Sequence, residues 1–295
     1  MTLKHFTDAD CLALVERSPA AVARHDQAAW MQLFARYSLV EDPVGSAPHI
    51  NGIFDASSGY RSADRLRRFY ETFIAPNAIQ FHVDRDIVCG LHVVRDLTIE
   101  ITMAPLVVVR VPMHLLYELT IEDDELKIFR LAAHWELRPM LRQQMTAGWR
   151  SLKVGNAAAA RMVRHQGLAG IAGFMRALHS VGAAGKVQAE RFARYFNAGD
   201  EEALASLFAA PDILIAFPYA GRQFSITDCA RLGGELSFSK LLAAGNMVSA
   251  TVDYNRSGNR IQGVMFFELE THRLRIVAAT GYWPSPWNAV DPENC

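Results

Sequence analysis

Cysteine is scarce in this chain and unpatterned. The 4 cysteines, Cys11, Cys89, Cys229 and Cys295, stand far apart with no C-x-x-C pair, which argues against a disulfide framework or a zinc site and fits a reducing compartment, by default the cytoplasm. An excess of either charge is also missing. Lys and Arg number 30 and Asp and Glu 31, a net charge of −1, so there is no broad basic face for nucleic acid. No apolar run approaches the roughly 18 residues of a membrane span, and the first ten residues lack the apolar core of a signal peptide. A Gly-rich phosphate loop, a Ser-centred nucleophile elbow and an H-E-x-x-H pair are all absent. His49, His92 and His165 have no partner at ligand spacing, so neither a metal nor a cofactor is expected. What remains, 51% hydrophobic and 21% charged over 295 residues, is the composition of a soluble globular protein of about two domains.

One further absence is local. From residue 137 to 189 there is no acidic side chain, while Arg138, Arg142, Arg150, Lys153, Arg161, Arg164, Arg176 and Lys186 occur there. The alanines at 157–160 and the spacing of Met162, Ile171, Phe174, Met175 and Leu178 predict two or three helices, broken at Gly155 and around Gly167 and Gly170. The basic residues are spread rather than bunched. The segment therefore reads as a helical connector with solvated or paired faces, in preference to a surface for an anionic partner.

On either side of that connector the chain is written twice. Asp26 precedes an apolar-periodic run through Trp30, Leu33 and Phe34, and Asp200 precedes one through Leu204, Leu207 and Phe208; each Asp is an expected helix N-cap. Strand-like runs follow, at 37–40 and 213–217, ended by Pro43 and Pro218. The halves also close alike: Leu126-Lys127-Ile128 leads to Trp135, and Leu274-Arg275-Ile276 leads to Trp283 at the same spacing. Helices first and consecutive strands after predict an α+β fold, helices on one face of an antiparallel sheet. The expected division is 1–140, a connector at 141–184, and 185–295. From helix-capping Asp to closing Trp the first copy spans 109 positions and the second 83, and much of the difference sits in an insertion around 51–60.

The run Glu41-Asp42-Pro43-Val44-Gly45-Ser46 sets a carboxylate where a strand must stop. Pro43 removes a backbone donor and Gly45 permits a tight turn. With Leu33-Phe34-Ala35 before it, Pro48 after it and Phe69-Tyr70 on the next helix, this run resembles the base-bearing motif of ketosteroid isomerases, within the NTF2-like and SnoaL-like folds. The resemblance covers about residues 10–137. It implies a cone made of a curled sheet wrapped around helices, twice over in this chain, with an apolar pocket in the first copy.

The resemblance further implies that Asp42 is a proton-transfer base beside a conjugated carbonyl. The oxyanion donors of that family, a Tyr and a protonated Asp, fall on Ser18 and near His114 here. His114 is then the candidate acid or donor, with Asp42 and His114 as the catalytic pair. Trp135 takes the place of a pocket aromatic on the last strand. Phe81-His82 looks a little like the strand that carries a catalytic His in dehydratases of this fold; alternation with Phe81 and Val83 turns His82 the other way. Ser18, Phe81, His82 and Trp135 are thus the candidate substrate contacts. Tyr117 is open to either face, and His134 reads as structural. Adjacent Arg95-Asp96 departs from the Arg-x-Asp of limonene-epoxide-hydrolase-like relatives. In the second copy the place of Asp42 falls on Ala216 or Phe217 and that of His114 near Val264, so only one active site is expected. The implied activity is acid–base chemistry, isomerisation first, on a small apolar polycyclic or polyketide-like molecule. A dehydratase or epoxide-opening cyclase, or a non-catalytic protein for apolar ligands or assembly, are the alternatives. The doubling allows an internal pseudo-dimer or a homo-dimer.

Overall fold

The computed structural model describes residues 6–55, 59–61, 65–105, 107–146, 148–217 and 222–284. Pro218, Tyr219, Cys295 and the tip of the insertion at 56–58 lie outside them. The chain forms two compact units, Met1–Asp86 with Leu91–His179, and Ile87–Gly90 with Ser180–Cys295. The helices expected as a connector at 141–184 therefore pack with the first unit as far as His179. Among the described residues no helix is long and apolar enough to cross a membrane.

In the first unit, α1 (Asp8–Ala23) and α2 (Gln27–Gln32) precede β1 (Phe34–Glu41), β2 (His49–Asn51) and a small hairpin of β3 (Ile53–Asp55) and β4 (Gly59–Arg61). A short helix α3 (Arg65–Phe69) runs into a π-helical turn, Tyr70–Ile74. Four long strands follow: β5 (Ala78–Cys89), β6 (His92–Ala104), β7 (Val107–Glu122) and β8 (Glu125–His134). The unit ends in α4 (Leu137–Thr146), α5 (Trp149–Met175) and a 3-10 turn, Arg176–Leu178. Thr7 and Asp26 cap α1 and α2, Asp26 accepting from the Ala29 N–H at 2.9 Å. The predicted helix through Phe34 stops at Gln32, because Phe34 and Ala35 enter β1 while Trp30 and Leu33 stay in the core. The break in α5 falls at Gly167, whose φ is 69°, with Gly155 left inside the helix.

The second unit repeats the plan with α6 (Gly182–Ala198), α7 (Glu201–Ser206), β9 (Ile215–Phe217), β10 (Arg222–Phe224), α8 (Ile226–Arg231), β11 (Glu235–Ala244), β12 (Met247–Arg256), β13 (Asn259–Leu269) and β14 (Ile276–Tyr282). Asp200 caps α7 as Asp26 caps α2, accepting from the Ala203 N–H at 2.9 Å. Strand orders are β2-β1-β8-β7-β6-β5 and β10-β9-β14-β13-β12-β11, the same path traced twice. Each sheet is mixed rather than wholly antiparallel, since β1 runs parallel to β8 and β9 parallel to β14. The long connection through helix and hairpins supplies the crossover that a parallel pair needs. Aromatic rings fill the second core, with Phe192 edge-on to Phe267 at 5.1 Å and near Phe238.

The turn after β1 is fixed at both ends. The Val44 N–H donates to the Ala133 carbonyl at 2.9 Å, the Ser46 N–H to Pro43 at 3.0 Å and the Ala47 N–H to Gly173 of α5 at 3.0 Å. The Asp42–Pro43 peptide is cis and Gly45 has a φ of 91°, a backbone glycine adopts at no cost. At Gly173 a Cβ would stand 2.6 Å from that of Ala47, inside van der Waals contact. Gly173→Ala should therefore destabilise the protein by about 1–3 kcal/mol from overpacking, despite a gain in helix propensity of up to about 1 kcal/mol. Urea denaturation measures it, and an unchanged or raised midpoint would show that this approach is loose.

Candidate active site

The parity of β7 decides which side chains meet. Val107, Val109, Val111 and Met113 are buried, whereas Val108, Arg110 and Pro112 are exposed. Continuing by twos sets Leu115 and Tyr117 with the first group, and His114 and Leu116 with the second. Registers carry the same division across the sheet. Tyr117 pairs with Leu131 of β8, and Leu131 with Val40 of β1. His114 pairs with His134 on one side and Asp96 on the other.

Asp42 belongs to the Tyr117 face. It lies two residues beyond Val40, and its Oδ1 accepts the Trp135 indole N–H at 2.5 Å; Trp135 lies two beyond Ala133 on that face. Asp42 is only half-buried by accessible surface, yet protein surrounds it deeply enough that desolvation raises its pKa from 3.8 to about 6, against the lowering effect of the Trp135 bond.

Facing it is a relay of donors. The Trp30 indole N–H donates to Ser18 Oγ at 3.1 Å. An indole can only donate, so Ser18 accepts there, and Ser18 also hydrogen-bonds the Tyr117 phenol. Burial raises the pKa of Tyr117 above its ordinary value, with Arg95 and Ser18 partly opposing, so at neutral pH it is a neutral donor. Arg95 is buried on β6 and forked onto Asp86, Nε to Oδ1 at 2.6 Å and Nη2 to Oδ2 at 3.0 Å. Its charge acts on the Tyr117 phenol, whose anionic character it favours.

The sequence candidates therefore separate. Asp42, Trp135 and Ser18 belong to the α1-covered face, with Tyr117 and Arg95 as members not foreseen. His114, expected as the partner of Asp42, occupies the opposite face, fully buried with Nε2 3.5 Å from Asp96 Oδ1. The same outer face carries Arg130, bonded to both Glu41 and Glu118. Beside it His134 is held neutral, its pKa lowered by burial, His114 and Arg130. Phe81 is half-buried and His82 exposed on β5, the edge strand at the far end of the sheet from β1. Among the described residues no hydrogen bond, ion pair or ring contact links His82 to Asp42. The signal for Tyr117 was present in the sequence: Arg110 and Pro112 share the parity of His114.

The second unit serves as an internal reference. The Ala279–Ile215 register matches Leu131–Val40, and Phe267 pairs with Ala279 as Tyr117 does with Leu131. Counting from these pairs, Asp42 corresponds to Phe217, Tyr117 to Phe267 and Arg95 to Ala250. From the capping Asp, Ser18 corresponds to Phe192. Trp135 keeps its counterpart in Trp283. One scaffold thus carries polar groups in the first copy and apolar ones in the second.

No family model and no curated protein matches the chain. Among solved structures it is similar to a Delta 5-3-ketosteroid isomerase from Mycobacterium sp., at 23% identity over 44% of this chain and 95% of that one, with a TM-score of 0.35. It is also similar to an NTF2-like protein of unknown function from Burkholderia xenovorans LB400, at 16% identity over 36% and 86%, TM-score 0.30. A third likeness is to an LEH-like epoxide hydrolase from Mycobacterium tuberculosis, at 17% identity over 50% and 97%, TM-score 0.36. Each likeness covers half of this chain at most; the repeated strand order sets two α+β units in tandem.

Proposed function

We propose that the first unit is a cofactor-independent acid–base catalyst that moves a proton next to a carbonyl in a small apolar molecule. Asp42 takes and returns the proton. Tyr117, backed by Ser18 and Arg95, donates to the oxygen where negative charge develops. The observation that carries this reading is the gathering of Asp42, Ser18, Arg95 and Tyr117 on one sheet face of the first unit, where the same framework in the second has Phe217, Phe192, Ala250 and Phe267. Polar groups set among apolar neighbours cost stability, and a proton carrier with a hydrogen-bond donor on the same face is the chemistry they perform together. Val40, Met113, Leu115 and Ala133 on that face are apolar and buried, which suits a hydrophobic substrate.

A carboxylate base works only when ionised. The rate (kcat/KM) for converting a β,γ-unsaturated ketone to its conjugated isomer should rise with pH, bend at the Asp42 pKa of about 6 and level off above about pH 7. A steroid enone and a simple cyclic enone, followed by conjugated-enone absorbance between pH 4.5 and 8, make the test. A turnover independent of pH across that range excludes Asp42 as the base. No turnover of either ketone by the folded protein excludes this substrate class.

A further inference from the structure

A concavity in the first unit, of about 340 Å³, does not include Asp42 in its lining. Two of its walls are cationic or hydrogen-bond donating. Arg65 and Arg68 stand three apart on α3 and are both exposed, an arrangement in which like charges share one helix face and repel. Among the described residues neither guanidinium has a carboxylate partner. Glu71, one turn on from Arg68, is engaged by His165 at 3.3 Å.

The opposite wall comes from α5. Gln166 presents a buried amide nitrogen that has no hydrogen-bond partner, and Gly170 leaves the space its side chain occupies, because a Cβ there would collide with it. A buried donor left unpaired costs about 1–3 kcal/mol, a deficit that a bound acceptor removes. His49 completes the polar rim. Burial and the neighbouring Arg65 charge lower its pKa to about 4, so at neutral pH its imidazole is uncharged and offers one N–H. The apolar side is Phe174, stacked on Phe73 at 5.3 Å between ring centres.

We propose that this cavity binds a small organic anion, its carboxylate or phosphate group between Arg65 and Arg68 with the Gln166 amide donating, and its apolar body against Phe174. The volume is at the small-molecule end of ligand pockets and exceeds what a bare inorganic anion fills. Paired guanidiniums suit both planar and tetrahedral oxyanions, so the headgroup is distinguished by experiment.

Calorimetric titration of the full chain at low salt with benzoate, phenyl phosphate, inorganic phosphate and benzyl alcohol tests the site. Benzoate or phenyl phosphate should bind, whichever is tighter naming the headgroup, and inorganic phosphate more weakly than phenyl phosphate. Benzyl alcohol should give no binding. The Arg65→Gln/Arg68→Gln double variant should lose about 100-fold in affinity, roughly tenfold for each charge-assisted contact. Both positions are exposed, and an unchanged circular dichroism melt confirms the fold. Phe174→Ala should weaken phenyl phosphate and leave inorganic phosphate unaffected. Arg164→Gln, on α5 outside the lining, should bind as wild type does, and so should Asp42→Asn, which separates this site from the proton-transfer site. Failure of both organic anions to bind, equal binding by benzyl alcohol, or undiminished affinity in the double variant would overturn the proposal.

Discussion

Asp42→Asn should abolish turnover while making the protein more stable. The amide keeps the shape and can still accept the Trp135 indole N–H, but it cannot take a proton, so the rate should fall by about 10²–10⁴-fold, the usual contribution of a positioned acid or base. The stability effect follows from the direction of the pKa change. Burial raises Asp42 from 3.8 to about 6 in the folded chain, so the folded state holds this proton more tightly than the unfolded one. That advantage is complete below pH 3.8 and is lost as pH rises through about 6. Above it, the ionised carboxylate costs up to about 3 kcal/mol relative to an uncharged side chain. Asn never ionises, so the variant should gain up to about that amount at pH 7.5 and progressively less toward pH 4. Urea denaturation at the two pH values reads it. A variant less stable at pH 7.5, or equally active, would show that Asp42 is neither desolvated nor the base.

The same residue shows how much of this site the sequence made legible. Asp42 stood out because a carboxylate beside Pro43 and Gly45 marks both a strand end and a sharp turn, local chemistry that needs no tertiary information. The doubling was legible for a similar reason, through capping residues Asp26 and Asp200 and the evenly spaced Trp135 and Trp283. What the chain hid was which side of β7 shares a face with Asp42. From Met113 to Tyr117 every residue is buried, and a strand covered on both faces loses the period-two contrast that assigns them. His114 and Tyr117, three positions apart, then look equally suited although their parity is opposite. The exposed Val108, Arg110 and Pro112 retain the contrast. Arg95 and Asp86 were obscure in another way, since their fork joins two neighbouring strands through a register that a sequence does not display. The mixed sheet was hidden likewise, because a parallel pairing of β1 with β8 depends on everything between them.

The second large effect follows from the same strand parity: Tyr117→Phe should cripple the proposed turnover and His114→Gln should not. Loss of the phenol hydroxyl removes the donor proposed to act on a developing oxyanion. One such donor is worth about 2.7–4 kcal/mol, or about 10²–10³ in kcat. Because that bond strengthens as charge develops, KM should change little while kcat falls. His114 lies on the opposite face of the sheet from Asp42, against Asp96 at 3.5 Å, so His114→Gln should alter melting temperature and leave kcat per folded molecule unchanged. Ser18→Ala belongs between the two: it breaks the relay from Trp30 and lets the phenol turn, and should lower kcat by less than Tyr117→Phe does. The three variants, assayed on one enone and normalised to folded protein, give an order that only the Tyr117 face predicts. If His114→Gln instead loses as much rate as Tyr117→Phe, the catalytic face is the other one and the register argument fails. If all three keep full rate while Asp42→Asn does not, proton transfer proceeds without a fixed oxyanion donor, and solvent must stabilise the charge.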